Sequence, residues 1–160
     1  MVWSEWVWFI HLLGIGAAFG CALAQAQLVR DAGKGGDDAL FFVVAARSIR
    51  IKVESPSIVV FATATLVKTF VVDSPSNRYW APWSGFLVLF LVYIAIHALC
   101  GRKLRHLHRL FVEAEHPAPS KPARKEAQRL SWLLTVGQGL PAVSLLMLSC
   151  DPGRSWAAGP

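Results

Sequence analysis

The chain has 160 residues, of which 54% are hydrophobic and only 16% charged, with a mean hydropathy of +0.45. That composition excludes an ordinary soluble domain and points to a bilayer. The net charge of +6 reads as membrane topology and contact with anionic headgroups, not as nucleic-acid binding, because the basic residues gather in two connections.

A span needs roughly 20 mostly apolar residues, and four segments qualify: 3–24, 56–72, 83–100 and 130–150. The expected fold is therefore all-α, a single antiparallel four-helix transmembrane bundle in the cytoplasmic membrane. Arg30, Lys34, Arg47, Arg50 and Lys52 load the first connection, and a larger basic group from Arg102 to Arg129 loads the third. Lys and Arg accumulate on the cytoplasmic side, so both termini are expected outside. The tryptophans cluster where spans meet headgroups, as interfacial anchors do.

The first span contains "FIHLLGIGAAFG" inside an uncharged run over 6–24. At about 100° per residue, His11 shares its face with Gly14, Ala18, Ala22 and Gln25, so an imidazole heads a smooth groove. Small residues let another helix or a flat ligand approach closely. Gly16 and Gly20 form a second small face on the opposite side, suited to helix packing. "ALAQA" resembles a signal-peptidase site, but residues 1–5 lack the positive n-region such a signal needs, so cleavage is not expected.

"RDAGKGGDDA" lacks the spacing of a phosphate-binding loop and reads as a flexible connection. "ALFFVVAARSIRIKVE" is apolar early and basic late, as in a helix at the cytoplasmic interface. Ser55 is placed to cap the second span with Pro56 at its first position, although one bent helix over 39–72 is also compatible. Lys68, near the outer end of that span, either snorkels or holds an anionic group.

After a polar turn, "DSPSNRYWAP", the third span places His97 on a face with Tyr93, Phe90 and Phe86. Such a wall lines a cofactor pocket or forms ordinary core. Leu104, Leu107, Phe111 and Ala114 continue the helical spacing beyond the span, among arginines, predicting an amphipathic cytoplasmic extension on the membrane surface. His106 and His108 diverge by about 200° on a helix and cannot chelate from one face. "HPAPSKPAR" reads as a polar linker, with His116 solvated. In the last span, Pro141 cannot donate to the carbonyl of Gly137, so Gln138 and the freed carbonyl are expected to bond to a neighbouring helix.

Cys21, Cys100 and Cys150 make no disulfide framework, and no CxxC, HExxH or nucleophile-elbow pattern occurs. Neutral imidazole suits a haem iron. Counted from Trp3 and Trp83 at about 1.5 Å per residue, His11 is roughly 12 Å deep and His97 roughly 21 Å deep. One histidine with another or no sixth ligand therefore fits better than a bis-histidine site.

"HLLGIGAAFG" in the first helix, a basic inner loop, a proline-started second helix and "YIAIHALCGRKLR" in the third resemble small four-helix membrane proteins. These include the haem-binding protoporphyrinogen oxidase family, the copper-resistance D-type family and an uncharacterised group of similar length. The resemblance implies haem b, with His11 the leading iron ligand, His97 next and Tyr93 beside it, in a redox or porphyrin-related role. The oxidase family opens its third helix with a Trp-His-Lys cluster where this chain reads "WAPWSGFLVL", so binding carries over more readily than porphyrinogen oxidation. The alternative is a non-catalytic subunit of a larger membrane complex or a homo-oligomer, with a transporter or copper-handling protein behind it. Its partners are the lipid bilayer and other membrane subunits.

Overall fold

A computed structural model describes residues 2–67, 80–113 and 120–149. Lys68, Cys150, His116 and the expected turn "DSPSNRYWAP" up to Tyr79 lie outside the described residues, as do the side chains of Trp3, Trp83 and Phe86. Every regular element among the described residues is helical: α1 (Val2–Lys34), α2 (Ala39–Ile49), α3 (Ser55–Val67), α4 (Trp80–Val112), α5 (Lys121–Trp132) and α6 (Gly139–Ser149). Two π-helical segments, Arg50–Glu54 and Leu133–Gln138, join α2 to α3 and α5 to α6 without a break. Trp6–Lys34 and Leu87–Val112 are long and apolar enough to cross a membrane.

α1 packs against α2, α3, α5 and α6, while α4 packs on α2, α5 and α6. The buried residues fall into two apolar clusters. One gathers the ends of the helices nearest the first and third connections, including Val29, Val43, Leu104 and Leu130. The other, around Ile15, Phe61, Tyr93 and Leu145, gathers the opposite ends. Successive helices traverse the two clusters in alternating order, which makes the bundle antiparallel.

Ser55 is not a cap. It lies inside one helical run from Ala39 to Val67, with φ −61° and ψ −45°. The π segment explains why Pro56 is tolerated there. Ser55 N–H donates to the carbonyl of Arg50, five residues back, which widens the turn into which the proline ring, lacking an N–H, must fit. Pro141 likewise follows the second π segment.

The α1–α2 connection is a tight turn, in which Gly35 and Gly36 take φ of 87° and 114°. Only glycine enters that region without Cβ strain. The extension of α4 does not lie on the lipid surface, because Leu104, Leu107 and Phe111 are buried in the bundle beside Val43 and Ala127. The end of the expected linker is already helix: α5 begins at Lys121, and Ser120 Oγ accepts from Ala123 N–H at 3.4 Å. Lys103 donates to Glu126 across α4 and α5 at 2.6 Å.

The smooth face of α1 is filled by a helix rather than a flat ligand. A Cβ on Gly14 would meet Phe61 Cβ at 2.9 Å, whereas Gly16 and Gly20 face outward with nothing within 4 Å.

Candidate functional site

Between the two apolar clusters lies a polar layer to which every long helix contributes. Gln25 comes from α1, Arg50 and Glu54 from the first π segment, Tyr93 and His97 from α4, and Gln138 from the end of the second π segment. Gln25, Glu54 and Gln138 are 0% exposed, while Trp6, Leu13, Val59, Leu91 and Trp132 are each more than half exposed. A soluble fold distributes these residue types the other way round.

Glu54 is the centre of the layer. Its Oε2 accepts from Gln25 Nε2 at 2.7 Å and faces Arg50 Nη1 at 3.5 Å. Its Oε1 accepts from Gln138 Nε2 and from His97 Nδ1, the latter at 3.1 Å. A buried carboxylate persists only when its acceptor positions are met and its charge is balanced, and here both conditions hold. Arg50 also donates to Gln25 Oε1 at 3.2 Å and to the backbone carbonyl of His97. Gln138 reaches Tyr93 Oη at 3.1 Å, and its own Oε1 is buried without a partner among the described residues.

His97 Nδ1 stands 3.1 Å from Glu54 Oε1 and 3.3 Å from Gln138 Nε2. Where Nδ1 donates to the carboxylate, Nε2 carries the lone pair. Nε2 lies 3.5 Å from Ser55 Oγ. Both residues line a cleft of ≈ 390 Å³ between the second helical run and α4, bordered also by Arg47, Arg50, Ile51, Gly101, Arg102 and Arg105. Gly101 keeps the floor open, since a Cβ there would stand 3.2 Å from Arg50 Nε. The volume falls within the range of about 300–1,000 Å³ usual for small-molecule sites.

Tyr93 and His97, expected on one face, do come together, with rings stacked at 6.4 Å. His11 is elsewhere. Its Nδ1 is 3.0 Å from Thr65 Oγ1, and its ring stacks on Trp8 at 5.4 Å and meets Phe61 at 4.8 Å. Thr65 Oγ1 gives its proton to the carbonyl of Phe61 at 2.8 Å, so His11 Nδ1 is the donor in that pair. His11 pairs with Thr65 and His97 with Ser55, positions about 15 Å apart along one helix at its standard rise. The two imidazoles therefore address different places.

Sequence reasoning passed over Arg50 and Glu54. The visible signal was their spacing: Val43, Ala46, Arg50, Glu54, Ile58 and Phe61 recur every three or four residues and are all buried. Among the described residues, no three His, Cys, Asp or Glu side chains gather as a metal site. No protein-family model, curated protein or solved structure matches the chain.

Proposed function

We propose that the chain is a four-span protein of the cytoplasmic membrane, with both termini outside, that binds haem b through His97 and serves a redox or porphyrin-related reaction. The observation that carries this reading is the Glu54–His97 pair, in which Nδ1 is held at 3.1 Å beside an arginine-lined cleft. Histidine ligands of metals commonly donate their second ring nitrogen to a carboxylate or carbonyl, which orients the ring and raises its basicity. His97 is held in this way.

The donor chemistry suits the group: His97 Nε2, which lines the cleft, would hold the iron. Bound haem would supply one-electron chemistry. The chain's own part is to direct His97 Nδ1–H to the Glu54 carboxylate, fix the residue through Arg50 and the His97 carbonyl, and pack Tyr93 over the imidazole.

The membrane part of the reading draws on the two long apolar helices, the outward-facing valines and leucines, and the basic connections. Val59 and Val60 on the second helical run are 63% and 47% exposed, as lipid-facing positions of a further span would be. The outward Gly16–Gly20 face favours a second reading, in which the chain is a subunit packed against another membrane helix.

An absorption spectrum separates the two readings. Protein purified from its native membrane in mild detergent is expected to show a Soret band and, on reduction, sharpened α and β bands. A featureless visible spectrum from assembled protein would end the haem reading and leave the subunit reading.

A further inference from the structure

We infer that the cleft beside His97 binds the phosphate of an anionic phospholipid from the cytoplasmic leaflet, held by Arg47, Arg102 and Arg105. The inference rests on the membrane reading above but not on haem.

Arg47, Arg102 and Arg105 border one cleft, and among the described residues none of them has a carboxylate partner. Arg50, which borders the same cleft, is matched by Glu54. Three guanidiniums gathered without a counter-charge repel one another, and an oxyanion between them relieves that repulsion and matches their geometry.

The cleft is also two-sided. Its remaining wall includes Ile51, which is 59% exposed, and Ala98, also exposed. Along α4 the exposed side chains change from Leu87, Leu91 and Leu99 to Arg102 and Arg105 within one turn. That change marks the level at which acyl chains give way to headgroups, where basic pockets between spans bind anionic lipid. A phosphate in the cleft would leave its acyl chains against the apolar wall.

The test is native mass spectrometry of the full chain in neutral detergent, titrated with phosphatidylglycerol, phosphatidylcholine or inorganic phosphate. Wild type is expected to retain one phosphatidylglycerol and to prefer it to phosphatidylcholine. At about fivefold for each cation near an anionic lipid surface, Arg47→Gln/Arg102→Gln/Arg105→Gln is expected to weaken binding on the order of a hundredfold. Arg109→Gln/Lys125→Gln/Arg129→Gln removes the same charge outside the cleft and is expected to leave the retained lipid in place.

Equal losses in both triple variants would reduce the effect to general attraction and overturn the site. Equal retention of phosphatidylcholine would also overturn it, and this comparison needs only wild type should the cleft variant fail to fold. Competition by millimolar inorganic phosphate as strong as that by the lipid would assign the cleft to free oxyanions instead. A lost lipid preference beside an intact Soret band would sink this inference alone. A missing band with the preference retained would sink only the haem.

Discussion

Arg50 and Glu54 are buried at 5% and 0% exposure, so truncating either leaves the other charged in the core. Breaking a buried pair costs about 3–5 kcal/mol, whereas replacing both members by apolar residues of similar size is often near neutral. Glu54→Ala is therefore expected to lower the unfolding midpoint strongly in detergent, and Arg50→Met/Glu54→Leu far less. The double variant still lacks the acceptor of His97 Nδ1. Loss of such a supporting partner typically weakens a metal site about 10–100-fold, so the double variant should keep its fold while losing haem affinity. A double variant with wild-type haem affinity would show that Glu54 is only structural.

At the scale of elements, the close approach of α1 to α3 is set at one glycine. Gly14→Ala places a Cβ 2.9 Å from Phe61 Cβ and Gly16→Ala meets nothing within 4 Å. Overpacking costs about 1–3 kcal/mol, so thermal unfolding should separate Gly14→Ala from wild type and leave Gly16→Ala close to it. Much of this packing was legible: the small face headed by His11 and the meeting of Tyr93 with His97 both follow from helical spacing. Ser-Pro is a strong start signal for a helix and a π turn leaves no mark in the sequence, so a start at Ser55 competes with one bent helix over 39–72. The structure takes the bent helix as far as Val67. A start at Ser55 puts Glu54 in a connection and hides the layer it centres. The extension of α4 was seen as helix, but its apolar stripe could not be matched from sequence to Val43 and Ala127, which arrive from two other elements.

Taken whole, the molecule stacks a charged layer between two apolar clusters and turns valine and leucine outward. Such an arrangement is at home in lipid, where interior polar groups hold helices together and exterior apolar ones meet acyl chains. In the proposed topology the basic residues of the first and third connections put those ends in the cytoplasm. With Cys21, Cys100 and Cys150 changed to Ala, a cysteine introduced as Lys125→Cys should react with an impermeant maleimide only in inverted vesicles. One introduced as Arg78→Cys should react only in right-side-out vesicles. The reverse pattern, or labelling of both from one side, would contradict the four-span topology.

Haem titration of wild type, His97→Ala and His11→Ala in detergent tests the central claim most directly, because it asks which imidazole the cleft presents. The account predicts a saturable Soret band in wild type and His11→Ala, and none in folded His97→Ala. Wild-type binding by His97→Ala would contradict it.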